Sequence, residues 1–247
     1  MNEQRFTGKG AIYAAARPGY APALLETLAQ RGYLSHAVAD IGAGTGLFTR
    51  QLAAYAPSIA AVEPNDDMRA AARQTLAGLA NVTIQAGTAE ATGLPAQHFG
   101  LVTAAQAFHW FDRAAFRAEC RRILRPGGAV ALVWNSRVTE APLIAGNDAV
   151  NRAHCPGYRG FSNGFSDDAE TLADFFAAPP EILRFRNDQH YDLDAFLGRN
   201  LSSSYAPLPD TPACDAYLEA LRALFDRYCV DGQVAYPYVT RCYLGTV

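Results

Sequence analysis

The chain is poor in the residues and runs that mark several classes of protein. Its 247 residues include five cysteines, at 120, 155, 214, 229 and 242, and no CxxC pair. An odd, dispersed set is poor material for a disulfide framework, so reduced thiols and a cytoplasmic location are expected. No apolar run reaches the roughly 18 residues that a membrane helix needs. Met1-Asn2-Glu3-Gln4-Arg5 leads into no apolar stretch of the kind a secretory signal carries. Positive charge is not in excess: 21 Lys and Arg stand against 24 Asp and Glu, a net of −3. A chain without a basic field is a weak partner for nucleic acid. There is no HExxH motif and no Cys/His cluster, and the adjacent His154 and Cys155 are wrong for chelation from one helix face. Neither metal, membrane nor nucleic acid is therefore expected, and the chain reads as a monomer or homodimer acting on a small molecule.

Apolar material is plentiful. Half of the residues are apolar, enough for one generous domain or for a core with a cap. The most informative stretch is Val38-Ala39-Asp40-Ile41-Gly42-Ala43-Gly44-Thr45-Gly46. A short apolar run ends beside an acid, breaks into three alternating glycines and turns into a helix. Short apolar strands are expected at 38–41, 59–62, 82–85, 101–105 and 129–134. Helices are expected at 21–31, 45–56, after Asn65, and from an Asp112 cap to Leu124. The turn Arg125-Pro126-Gly127-Gly128 stops the last of these. Strands alternating with helices imply a parallel sheet covered on both faces. After Asn135 the rhythm changes. Residues 138–180 read as irregular, with a helix at 169–176, a strand at 182–186, helices at 194–203 and 211–229, and a last strand at 234–244. Residues 138–180 and 194–230 are placed as a lid over the sheet's carboxyl edge.

Ligands of open α/β sheets bind outside the carboxyl ends of the strands, at the switch point. The glycine loop lies there. Its spacing is G-x-G-x-G, not the G-x-G-x-x-G of a dinucleotide fold, and Asp40 would face a pyrophosphate as a second anion. Glu63, at the end of the second strand, suits the two hydroxyls of a ribose. Gly87-Thr88-Ala89-Glu90 follows the third strand, where an acid can meet an adenine amino group. Gln106-Ala107-Phe108-His109-Trp110-Phe111-Asp112 follows the fourth and sets aromatic groups at the mouth of the sheet.

As an ordered set over residues 10–135, these elements resemble the class I S-adenosylmethionine-dependent methyltransferases. The resemblance implies a Rossmann-like, mostly parallel seven-stranded sheet with helices on both faces and a small helical lid. Residues 1–137 would be the S-adenosylmethionine-binding core with an N-terminal lid segment. Residues 138–247 would supply substrate-side insertions and the last strands of the same sheet. Carried onto matching positions, Asp40, Gly42 and Gly44 are the loop contacts and Glu63 the ribose acid. Ala89 and Glu90 are the adenine neighbours, and Gln106 lies near the methionine portion. A narrower likeness, to the subgroup that includes trans-aconitate methyltransferases, comes from Tyr13-Ala14-Ala15-Ala16-Arg17-Pro18-Gly19-Tyr20, from Ala107–Asp112 and from Tyr238–Tyr243. In that subgroup the Y-x-x-x-R-P-x-Y segment closes over the cofactor.

Methyl transfer from a sulfonium asks for in-line alignment within about 3–3.5 Å and exclusion of water. The faces of Tyr13, Phe108 or Trp110 can stabilise a sulfonium by cation–π attraction. Arg17 can hold a carboxylate of cofactor or substrate. His109 is the candidate general base for a hydroxyl or amine nucleophile, whereas a carboxylate nucleophile needs none. Plainer readings stand beside these. Tyr13 and Tyr20 can anchor the N-terminal segment, Phe108 and Trp110 can be wall or core, and Asp40 can brace the loop. Tyr20, Phe108, Trp110, Asn135 and Tyr205 are the candidate substrate contacts, with Arg137 and Arg199 flanking the same strand ends or lid. No N/D-P-P-Y/F motif follows the fourth strand, which turns the expectation from nitrogen toward an oxygen nucleophile. A nicotinamide-dependent oxidoreductase, or a non-catalytic cofactor-binding regulator on the same fold, are the alternatives.

Overall fold

The computed structural model describes residues 18–161, 172, 174–203 and 205–247. Tyr13 and Arg17 lie outside the described residues, as does most of 162–173. The elements run α1 (Pro22–Gln30), β1 (Val38–Ile41), α2 (Leu47–Leu52), β2 (Ile59–Val62), α3 (Asp66–Thr75), β3 (Val82–Gln85) and β4 (Phe99–Ala105). Then come a 3-10 turn at Phe108–Trp110, α4 (Arg113–Ile123), β5 (Leu124–Arg137), α5 (Pro142–His154), β6 (Glu181–Arg186) and β7 (Gln189–Tyr191). The chain closes with α6 (Leu193–Leu201), α7 (Pro212–Tyr228), β8 (Val234–Tyr236) and β9 (Tyr238–Gly245).

A Rossmann-like sheet of seven strands has the order β3-β2-β1-β4-β5-β9-β6. β1 pairs in parallel with β2 on one side and β4 on the other, Val38 lying opposite Ile59 and Leu101. All four residues of β1 and of β2 are buried, which is why both read as unbroken apolar runs. The strand order reverses between β1 and β4, so the loops leaving these two strands face the switch point. Leu24, Leu25 and Leu28 of α1 pack with Phe48 and Leu52 of α2 against Val38, Leu101 and Val133. Polar side chains fix where the helices start. Asn65 accepts the Met68 N–H at 3.0 Å to begin α3, and Asp112 accepts the Ala115 N–H at 3.0 Å to begin α4. Each such cap is worth about 1 kcal/mol.

Several expected boundaries move. The helix read at 45–56 is trimmed to Leu47–Leu52, because Gly46 sits at φ 80° just before it. The Arg125–Gly128 turn bulges out within β5: Phe99 pairs with Leu124 and Leu101 with Ala129, so the four residues loop out between two paired positions. The segment read as irregular contains α5, which starts with Pro142 in its first turn. Residues 174–176 are turn and bend, not the end of a helix. The last strand is two, interrupted at Pro237, which has no N–H to donate to a ladder. β8 pairs antiparallel with β7, while β9 belongs to the large sheet.

The described residues fall into two compact units. The first comprises 18–135, 172, 174–185 and 240–247, and the second 136–161, 186–203 and 205–239. The second has a core of its own, in which Ile144, Phe196, Tyr217, Leu221, Val234 and Tyr236 are fully buried. All five cysteines are free thiols. No helix among the described residues is long and apolar enough to cross a membrane.

Candidate functional site

The loop leaving β1 uses its three glycines for three different reasons. Gly42, Gly44 and Gly46 all have positive φ, at 68°, 58° and 80°, where an L side chain is strained. At Gly42 a Cβ would lie 2.7 Å from Ala107 Cβ and 3.0 Å from the Phe111 ring. The loop leaving β4 therefore packs directly on the glycine loop. At Gly46 a Cβ would collide with Leu76 at 2.8 Å. At Gly44 no atom of the described residues lies within 4 Å. The middle of the loop thus offers bare backbone to open space, a cradle that any side chain would fill.

Two carboxylates shape this loop. Asp40 is 1% exposed. Its Oδ2 accepts the Thr49 hydroxyl at 2.6 Å and its Oδ1 the Thr103 hydroxyl at 2.8 Å. Asp40 thereby ties β1 to α2 and to β4 from beneath the loop. Burial pushes its carboxyl up to about 6, against the two hydroxyl bonds that favour the charge. Glu63 ends β2 at 7% exposure. Its Oε2 accepts the Gly44 N–H at 2.9 Å and its Oε1 the Asn65 N–H at 2.9 Å. Glu63 is oriented by backbone on both sides, and one of its oxygens touches the open glycine.

The other two loops close the frame. Ala89 is buried, and the Glu90 carboxylate accepts the Asp112 N–H at 2.9 Å. The loop leaving β3 is thus bound to the N-cap of α4. Gln106, just past β4, is held at φ 55°, an uncommon conformation for a residue with a side chain. Its amide donates to the Asn135 carbonyl at 3.0 Å and its backbone N–H to the Val133 carbonyl at 2.9 Å. Hydrogen bonds and contacts within the first unit therefore join the loops after β1, β2, β3 and β4.

Comparison with known proteins agrees with this frame. Residues 39–132 match the family described as "Methyltransferase domain". An uncharacterized methyltransferase of Mycobacterium tuberculosis is 40% identical over 146 residues, 55% of this chain and 56% of that protein. A solved structure from Anaeromyxobacter dehalogenans, described as a candidate type II methyltransferase, is 25% identical with a TM-score of 0.64. It covers 93% of this chain and 97% of that one. Residues 39–132 are thus similar to a methyltransferase domain, on a fold shared with a solved methyltransferase structure. The chain spans about half the length of the curated relatives it matches. One of these, a malonyl-[acyl-carrier protein] O-methyltransferase of Methylococcus capsulatus, is 35% identical over 109 residues, 42% of this chain and 39% of that protein.

Within the first unit, several candidates turn out to be framework. Phe108, expected to face a substrate, is fully buried. Phe111, Phe116, Trp134 and Phe175 surround it, with ring centroids 4.8–6.3 Å away. An aromatic side chain in that position is worth more as core than as a contact. Tyr20 is also core: it is 7% exposed, with its ring 4.7 Å from Phe48. Asn135 is a clamp. Its Nδ2 donates to the Gly19 carbonyl at 3.0 Å and its Oδ1 accepts the Thr240 hydroxyl at 2.6 Å. Trp110 stays 40% exposed, with the half-buried His109 ring 4.8 Å from its own. Tyr205 belongs to the second unit, with its ring 4.8 Å from Tyr158.

Sequence reading missed the residues that hold the frame. Gln51 pairs with both backbone groups of Tyr20, accepting its N–H at 2.9 Å and donating to its carbonyl at 2.8 Å. Thr240 accepts the Ala21 N–H at 3.0 Å from 219 residues away. Thr49 was legible as a polar residue on the face of α2 that carries Phe48 and Leu52. Thr240 carried no signal, because its partner is chosen only when β9 enters the sheet.

Proposed function

We propose that this chain methylates a small-molecule acceptor at oxygen, with S-adenosylmethionine as the donor. The observation that carries the reading is the open face of Gly44 beside the buried, backbone-oriented carboxylate of Glu63 at the switch point. Bare backbone admits a ligand closely, and a carboxylate, which accepts and never donates, suits a ribose diol. Gly42 and Gly44 serve as loop contacts, and Asp40 acts through the loop it braces. Glu63 takes the ribose, Ala89 and Glu90 flank the adenine, and Gln106 lies toward the methionine end. Tyr13 and Arg17 keep the roles that the family pattern gives them. The bound donor supplies a methyl group already activated by a sulfonium charge, so the protein needs to align the acceptor and exclude water. His109 is the base where the acceptor is a hydroxyl, and Trp110 is the acceptor-side wall.

Oxygen is favoured over nitrogen by two facts. QAFHW stands where an N/D-P-P-Y/F motif would follow β4, and a relative over 109 residues is named an O-methyltransferase. The narrower kinship with the trans-aconitate methyltransferase-like subgroup rests on the YAAARPGY and AFHWFD segments. Residues 138–247 form the substrate side of the reading, with a cytoplasmic location.

Calorimetric titration of the full chain with S-adenosylmethionine and, separately, with NADH tests the donor. Saturable binding of the first alone is expected, and binding of NADH alone overturns the reading. A metabolite screen scored by S-adenosylhomocysteine release then identifies the acceptor. In that assay His109→Ala should lower turnover while cofactor affinity stays within about twofold. An unchanged rate removes His109 as the base.

A further inference from the structure

Among the described residues, the second unit gathers two arginines around a set of tyrosines with no carboxylate in ion-pair contact. The Arg199 guanidinium carbon lies 4.2 Å from the Tyr236 ring centroid and 5.9 Å from that of Tyr238. Arg199 donates to the Tyr238 hydroxyl at 2.6 Å and lies beside that of Tyr191. The Arg137 guanidinium carbon lies 4.4 Å from the Phe161 centroid and 5.7 Å from that of Tyr238, beside the Tyr236 hydroxyl. Both cations therefore sit within 6 Å of one ring. Tyr236 and Tyr238 are buried, while Arg137, Arg199, Tyr191 and Phe161 are partly exposed.

Donors outnumber acceptors here. Two guanidinium groups bring ten N–H donors between them, and the hydroxyls of Tyr191, Tyr236 and Tyr238 stand beside them. The Tyr236 hydroxyl spends its own proton on Asn147 Oδ1 at 2.7 Å. Among the described residues, no carboxylate lies within ion-pair distance of either arginine. Arg137 Nε is shut off from solvent there and has no hydrogen-bond partner. Of the acids close to these elements, Asp148 holds Arg152 and Tyr158, Asp188 pairs with Arg186 through Oδ2 while its buried Oδ1 has no hydrogen-bond partner, and Asp192 caps α6. Two like charges on one ring repel, and stacking on aromatic faces offsets this in part. The missing component is an anion. Guanidinium forks match flat oxyanions in two-pronged geometry, and aromatic walls suit an apolar body attached to one.

We infer that Arg137, Arg199, Tyr191, Tyr236, Tyr238 and Phe161 form a binding site for a small organic oxyanion, a carboxylate or phosphate ester carried on an apolar body. The residues of this site come from the second unit and those proposed to hold the donor from the first, so the inference can fail while the methyl-transfer reading holds, and the reverse.

The test is calorimetric titration of the full chain, without S-adenosylmethionine and at constant ionic strength, with benzoate, phenyl phosphate and the neutral benzamide. Saturable binding of benzoate or phenyl phosphate is expected, with benzamide at least tenfold weaker, and the tighter anion identifies the headgroup. Arg137→Gln and Arg199→Gln should each weaken that anion tenfold or more. Arg152→Gln, which removes an exposed cation of the same unit, should leave it unchanged. Should a variant fold poorly, the wild-type protein decides the matter: the bound anion should slow phenylglyoxal modification of Arg137, read by peptide mass spectrometry. No saturable anion binding, benzamide binding as tightly as benzoate, equal affinity in the folded variants, or no protection of Arg137 overturns the inference and leaves the cluster as a structural stack.

Discussion

Gly44 and Asp40 show how much one residue does at the switch point, in opposite ways. Gly44 is needed for what is absent around it. Gly44→Val places a branched side chain at φ 58° in the open face of the loop, and should cut S-adenosylmethionine affinity roughly 100-fold or more, about 3 kcal/mol. Calorimetry checks this, and near-normal affinity would mean that the donor does not approach the loop there. Asp40 is needed for what it touches. Its folded-state value of about 6 is raised above the ordinary 3.9 or so, so its share of stability is fully present below about pH 4 and is lost as pH rises through 6. The loss is of order 2–3 kcal/mol between pH 4 and 7.5. Urea unfolding of wild type and Asp40→Asn at pH 5 and 7.5 should show a decline that the variant lacks. Glu119 does not blur this window. The Arg122 guanidinium holds its carboxyl down at about 2, so its contribution is lost only as pH falls toward that value.

At the level of elements, the chain reaches α1 through a clamp. Gln51 of α2, Asn135 of β5 and Thr240 of β9 hold the backbone of Gly19, Tyr20 and Ala21. Thr240→Val keeps the shape but removes a buried acceptor from the Ala21 N–H and a donor from Asn135, at about 1–3 kcal/mol. Hydrogen exchange at Tyr20 and Ala21 should rise first. Equal protection would show that the segment is held by packing alone. The clamp also shows where sequence reading stops. The strands at 38–41 and 59–62 were legible because burial on both faces writes itself as an unbroken apolar run. The caps Asn65 and Asp112 were legible because a cap acts within three residues. The Pro237 break was not read, since one proline inside an apolar run marks an edge, a bulge or a break equally well. Phe108 looked like a site residue because an aromatic in a loop after a strand is unusual in water. The structure buries it under Phe175, which lies 67 residues further along.

On the scale of the molecule, two compact units carry separate cores, and the donor frame lies in the first. Leu221 is fully buried in the second core, and Leu221→Ala should cost about 2–5 kcal/mol of stability. S-adenosylmethionine affinity should remain within about twofold in the folded variant, because every group proposed to hold the donor comes from the first unit. A parallel loss of affinity would show that donor binding depends on the second core.

The sequence by itself determined the sheet's central strands, the glycine loop, Glu63 and the kind of domain they form. These are local signals: alternation, caps and left-handed glycines act over a few residues, and the order of loops along the chain repeats the order of strand ends. The tertiary structure alone decided that Asp40 braces the loop instead of facing outward, and that Phe108 and Tyr20 are core. It also decided that Gly42 and Gly44 serve different needs, and that Arg137 and Arg199 share one tyrosine floor. Each of these depends on partners tens to hundreds of residues away, and only the folded chain brings them within reach.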